Sequence, residues 1–237
     1  MHALALLPLL ALAVACGVPE AKYDLALNDA QSARDAEKKT RGKLEDEVKT
    51  LREELAVAAG KATSDEDKAK LEELQKAHEE AKARAELLAS LVDKFKQMVD
   101  AGTLKVVERH GRLVLQLRND VLFDPLKTEI KPDGKVALVQ IAQTLRTMPT
   151  RRFQVAGHTD VVVIHTKDFP SNWELSTGRA IAVVKLLVAQ GVNPASLSAA
   201  GYSLYDPVGT EPTHNRRIEI TLVPNVEGLI SAKGGGR

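Results

Sequence analysis

Apolar positions along this 237-residue chain change their spacing twice, and so divide it into three parts. The first 17 residues are almost continuously apolar, with Pro8 inside the run. From Lys22 to Asp100 apolar residues recur at intervals of three and four. One set is Leu44, Val48, Leu51 and Leu55; the other is Leu71, Leu74, His78, Ala81, Ala85, Leu88, Val92, Phe95 and Val99. Such spacing, kept over several heptads with charges on the other faces, predicts a coiled-coil seam. Beyond Gly102 the period shortens. Leu104–Arg109 and Arg112–Leu117 alternate around His110-Gly111, which predicts a β-hairpin.

The two halves of the seam are out of phase, because Leu55 and Leu71 are two residues further apart than two heptads. The slip falls where Gly60 suits a helix end and Ser64 an N-cap followed by acidic first-turn residues. A hairpin turning near residue 62 would set Leu55 beside Leu71, Leu51 beside Leu74, Val48 beside His78 and Arg34 near Val92. A continuous helix would absorb the slip as a local change of supercoil. The rod would reach about 110 Å and the hairpin about half that. Both arrangements stay open at this level. Residues 22–102 read as a spacer or a self-association element, with His78 an adaptable interface residue.

The remaining pattern alternates strands and helices. Val121–Asp124 runs to a proline. A helix follows from Ile130-Lys131-Pro132-Asp133-Gly134 to Met148, with its proline in the first turn. Arg152–Gly157 is a strand, and Ser171 with Glu174 forms a capping-box pattern for a helix ending at Gln190-Gly191. Leu197–Tyr202 and Asn215–Leu222 are the last strands. Residues 103–223 therefore predict a two-layer α/β (α+β) domain with a mixed sheet and two helices. Residues 224–237 read as a flexible tail.

Composition agrees with a helical segment plus a modest globular domain: only 3% of residues are aromatic and 27% are charged. Residues 1–102 carry 16 Lys/Arg against 20 Asp/Glu, and residues 103–237 carry 17 against 12. No basic stripe interleaved with aromatics results, so no nucleic acid is expected as a partner. The single cysteine, Cys16, follows Ala13-Val14-Ala15 at the end of the apolar run. This resembles the lipobox of bacterial lipoproteins, and implies a signal peptide over residues 1–15, lipidation of Cys16 and a linker over 16–21. A plain secretory signal or a buried cysteine is the bland alternative. No Lys or Arg precedes the run, and Ala13 stands where leucine is commoner. Two or more acyl chains anchor firmly, at roughly 0.8 kcal/mol per buried methylene.

One stretch carries candidate chemistry. Gly157-His158-Thr159-Asp160 ends an apolar strand on a carboxylate, and the helix opening at Asn172 carries Arg179 about two turns in. A carboxylate and a guanidinium on one rim can grip a ligand bearing an ammonium and a carboxylate, since arginine offers a carboxylate a fixed two-donor fork. The bland reading is an internal Asp160–Arg179 salt bridge. Leu122-Phe123-Asp124, Ile130-x-Pro132-x-Gly134, Gly157-His158-Thr159-Asp160, Leu175-Ser176-x-x-Arg179-Ala180, Gly201-Tyr202 and Asn215-Arg216-Arg217-Ile218-Glu219-Ile220 together resemble, in order, the OmpA-like peptidoglycan-binding domain. The loop Val161–Pro170 and the stretch through Asn172-Trp173-Glu174-Leu175-Ser176 look most like the MotB branch. The resemblance implies non-catalytic binding of the diaminopimelate of the peptidoglycan stem peptide. Asp160 would meet its ammonium and Arg179 its carboxylate, with Thr159, Asn172 and Arg216 or Arg217 assisting. The segment before Asn215 is shorter than the family pattern, which bears on the two arginines.

No cofactor and no metal are expected. His158, Asp160 and His165 could be drawn as metal ligands or a proton relay, but no cysteine, phosphate loop or nucleophile elbow accompanies them. A MotB-like stator or motor-associated wall anchor is the second reading, and a periplasmic hydrolase a third. A stator needs a spanning helix with an ionisable carboxylate, and the first 18 residues contain no acid. The expectation is an outer-membrane lipoprotein facing the periplasm, with peptidoglycan as partner and coiled-coil self-association possible in principle.

Overall fold

The computed structural model describes residues 20–61 and 64–223. The lipobox region, Cys16 included, and the tail from residue 224 lie outside the described residues. Helices α1 (Glu20–Ala59) and α2 (Asp65–Lys94) come first, then a short α3 (Lys96–Asp100). Strands β1 (Leu104–Arg109) and β2 (Arg112–Arg118) form the hairpin, followed by one turn of helix, α4 (Asn119–Leu122). Then come α5 (Pro132–Arg146), β3 (Arg152–His158), α6 (Asn172–Ala189), β4 (Leu197–Gly201), the turn α7 (Pro212–Asn215) and β5 (Arg217–Val223). The last strand thus begins two residues later than the sequence pattern predicts, because Pro212 starts a helical turn that takes in Asn215.

The sheet order is β1-β2-β5-β3-β4. All neighbours are antiparallel except β3 and β4. Registers Leu104↔Leu117, Leu117↔Ile218 and Gly157↔Ile218, with Val155↔Ile220 and Phe153↔Leu222, put one row of residues on the helix-covered face. That row packs with Leu138, Ile141 and Leu145 of α5 and with Ala180, Val183 and Leu187 of α6 in one core. A side chain of about that size contributes roughly 1.5–3 kcal/mol when fully buried.

Helices α1 and α2 fold back on each other. The turn is set by Ser64, whose hydroxyl accepts from Asp67 N while the Asp67 carboxylate accepts from Ser64 N. The pairing is displaced from the register that the seam alone suggests: Arg84 meets Glu47 at 2.6 Å and Arg34 meets Asp100 at 3.0 Å, beyond Val92. A third surface accounts for the displacement. The helices also lie along β1, and Ala33, Leu44, Leu88, Leu91 and Phe95 join the core of the sheet domain. Lys105 donates to Ser32, Lys43 pairs with Glu108 at 2.7 Å, and Arg118 pairs with Asp29. At Gly102 the fit is tight: φ is +70°, and a Cβ there would lie 2.6 Å from Ala30 N. Helix α1 therefore starts at the Arg118 end of the sheet and carries its later turns past the opposite end.

Candidate functional site

Strand β3 delivers Gly157–Asp160 to the end of the sheet at which α6 begins. The approach is close, because a Cβ on residue 157 would lie 2.0 Å from Ser176 O, and one on residue 201 would lie 2.1 Å from Thr177 Oγ1. Glycine at both places lets the first turns of α6 sit directly on β3 and β4. Ser171 caps that helix, its hydroxyl accepting from Trp173 N at 3.1 Å and donating to Glu174 Oε2 at 2.5 Å. That contact holds the Glu174 carboxyl below its usual range.

A cleft of about 360 Å³ opens there, walled by Asp120, Phe123, Leu126, Asp160, Arg179 and Arg216, with Thr159 and Asn172 behind them. Asp160 and Arg179 face the same cleft without pairing with each other. Asp160 Oδ1 accepts from Val162 N at 3.1 Å, and Oδ2 accepts from Arg216 Nη1 at 2.6 Å. Arg179 Nε donates to Lys127 O at 3.0 Å and Nη2 to Asp124 O at 3.2 Å, with the guanidinium 5.2 Å from the Phe123 ring centre. It is only 5% exposed. Burial, with Arg216 nearby, pushes its pKa down to about 10 against the opposing pull of Asp160, so it remains a cation at neutral pH. The two carbonyls take Nε and Nη2, and among the described residues Nη1 makes no hydrogen bond.

Thr159 and Asn172 act as scaffolding. Asn172 Oδ1 accepts from Ile164 N at 2.9 Å, and its Nδ2 donates to Thr159 Oγ1 at 2.8 Å and Val162 O at 2.9 Å. Thr159 N donates to Ser203 O at 2.8 Å. Together they fix the start of the loop that carries Asp160.

The two candidate arginines part company. Arg216 stands at the cleft with its side chain 39% exposed. Arg217, the first residue of β5, turns to the sheet face opposite α5 and α6, where its Nε meets Glu219 Oε1 at 2.7 Å and its Nη2 reaches Asp206. The structure does not bring Arg217 to the cleft, since adjacent residues entering a strand point oppositely. His158 is on that same face and buried. It is stacked on Tyr202 with ring centres 5.0 Å apart and lies 3.7 Å from both Asp206 and Glu219. Burial above all, helped by Arg217, pushes its pKa down to about 4 despite the two acids. His165 instead holds Pro170 O at 2.9 Å. Among the described residues the one His/acid group with ligand spacing is His158, Asp206 and Glu219, without Asp160 or His165. Arg109 and Arg217 already bind both of its acids.

Asn119 is a cleft residue that the sequence did not reveal. Its Nδ2 donates to His158 O at 3.1 Å, and its buried Oδ1 has no partner among the described residues. The pairing of Asn119 N with Arg216 O, next to the Arg118↔Arg217 pair of β2 and β5, brings it there.

These features define an α/β module whose charged cleft lies at the strand ends of a mixed sheet. Residues 122–221 form an OmpA family domain. It is 32% identical to the solved structure of "the cell wall anchor of the T6SS from Pseudomonas aeruginosa", covering 56% of this chain and 95% of that one with a TM-score of 0.52. It is 38% identical over 116 residues to the uncharacterized protein YtxE of Bacillus subtilis, covering 46% of this chain and 48% of YtxE. The probable lipoprotein YiaD of Escherichia coli is 33% identical over 142 residues, 57% of this chain and 61% of YiaD. The chain thus spans about half to three fifths of these two relatives. Among the described residues no helix is long and apolar enough to cross a membrane.

Proposed function

We propose that the cleft binds the diaminopimelate of the peptidoglycan stem peptide without covalent chemistry, and that lipidated Cys16 joins this hold to the outer membrane. The observation that carries the reading is Arg179: a buried cation held by two carbonyls, facing the same cleft as a carboxylate. A ligand carboxylate restores the solvation Arg179 lost on burial, and charge-assisted hydrogen bonds of this kind contribute roughly 1.5–3 kcal/mol each. A ligand ammonium takes the place of Arg216 on Asp160 Oδ2, and Arg216, partly exposed, turns to the bound anion. Similarity to proteins described as a cell wall anchor and as a probable lipoprotein supports both ends of the tether. The helical hairpin adds little length to it. Asp29 already touches Arg118, which pairs with the cleft residue Asp120, so only about 14 Å of α1 lies between Glu20 and this contact.

The test is co-sedimentation with purified sacculi. Asp160→Ala and Arg179→Lys are expected to weaken binding roughly ten- to a hundredfold, as loss of one such contact implies, with thermal unfolding little changed. Retained sedimentation by both variants overturns the assignment. For the anchor, Cys16→Ser is expected to abolish fatty-acid labelling and membrane fractionation; undiminished labelling refutes it.

A further inference from the structure

The chain has a single tryptophan and three tyrosines, and it places two of these four outside the core and against each other. Trp173 is 47% exposed and Tyr205 is 68% exposed. Their rings stack with centres 5.5 Å apart and planes 27° from parallel. Exposed aromatics on a flexible loop would mean little, but both are fixed from beneath. Trp173 is the second residue of α6, its N–H held by the Ser171 hydroxyl and its carbonyl accepting from Ser176 Oγ. Tyr205 closes a turn onto Tyr202 O at 3.1 Å. On one side of it Ser203 N donates to Ser176 Oγ, and on the other Asp206 is bound by Arg109 and Arg217. The result is a preordered apolar shelf, for which binding carries little conformational cost.

The backbone that carries the shelf lies next to the cleft. Trp173 directly follows Asn172 of the cleft lining, so the two Cα atoms are about 3.8 Å apart, and the rings themselves stand outside that lining. We infer that the Trp173–Tyr205 shelf binds the glycan strand of the peptidoglycan, stacking on the C–H face of an amino-sugar ring. The inference rests on the stem-peptide reading of the cleft. In peptidoglycan two residues separate the diamino acid from the sugar, which is about 7–10 Å of extended chain. A stem peptide seated between Asp160 and Arg179 therefore has its sugar within reach of the rim. A pyranose offers apolar C–H groups on one side and oxygens around its edge. The aromatic faces suit the first, and the Tyr205 hydroxyl and the indole N–H suit the second.

The sole tryptophan makes the shelf directly observable in the full-length protein. Three probes separate the contributions: free stem tripeptide, disaccharide-tripeptide, and glycan strands stripped of peptide. The disaccharide-tripeptide is expected to bind wild type roughly five- to tenfold more tightly than the free tripeptide and to shift Trp173 emission. Trp173→Ala and Tyr205→Ala are expected to remove that preference, leave the affinity for free tripeptide unchanged, and leave the melting temperature nearly so; Trp173→Phe is expected to restore most of it. Equal affinities of the two peptide probes for wild type, or a preference that survives both alanine variants, overturns the inference. If the free tripeptide does not bind, the cleft reading fails and the stripped glycan decides the shelf on its own. A saturable change in Trp173 emission that Tyr205→Ala abolishes upholds it, and no change refutes it.

Discussion

Replacing His158 by glutamine should change how stability depends on pH while altering stability at pH 7 much less. The imidazole is 1% exposed, both ring nitrogens lack hydrogen-bond partners among the described residues, and its pKa is pushed down to about 4 from an ordinary 6.5, chiefly by burial. Between those two values the unfolded chain takes up a proton that the folded chain refuses, so stability falls as the pH falls through this window. Weighting the two protonation equilibria at pH 7 and pH 5 gives a loss of about 2 kcal/mol attributable to His158. His214, also depressed by burial but partly exposed, adds a smaller change of the same sign to wild type and variant alike. Glu219 interferes little over the interval compared. Its carboxyl is held below its ordinary value of 4.5, so its contribution is lost as the pH falls from there, below the pH 5–7 interval. Urea unfolding followed by far-ultraviolet circular dichroism at the two pH values measures the difference. Wild type should lose about 2 kcal/mol more than His158→Gln on acidification. Equal losses in the two proteins would show that His158 titrates normally and would refute the argument.

Two further outcomes follow from the packing. Gly157→Ala places a methyl 2.0 Å from Ser176 O, and overpacking of that kind costs about 1–3 kcal/mol. The melting temperature should fall by about 2–12 °C, at roughly 2–4 °C per kcal/mol for a chain of this size, with a parallel loss of sacculus binding as α6 shifts; an unchanged melting curve contradicts the close approach. Spin labels at Arg41 and Ala89, which line one groove between α1 and α2, should report a short separation. A distance near the roughly 70 Å expected of an unbroken helix between those positions would eliminate the hairpin.

The sequence by itself determined the parts of this protein that depend on local period and local chemistry. A two-residue alternation marked the hairpin and the central strands, and glycine, proline and serine in fixed places marked the helix ends. The ordered motifs identified the family, and they put Asp160 just after a strand and Arg179 about two turns into the helix that converges on it. Three things required the tertiary structure. The first was the course of the long helices. Two seams out of phase fit a rod or a hairpin equally until β1 supplies a third surface that holds α1 and α2 against the sheet. The second was the partnering of charges. Ion pairs depend on which ends of which strands meet, and adjacency in sequence hides the fact that Arg216 enters the cleft while Arg217 turns to Glu219 on the opposite face. From the residues alone an Asp160–Arg179 brace was the preferred reading over a shared grip, and only the geometry shows Asp160 held by Arg216 and Arg179 by backbone carbonyls. The third was Asn119 and the Trp173–Tyr205 shelf. No periodicity selects them, because each owes its position to contacts between segments more than 30 residues apart.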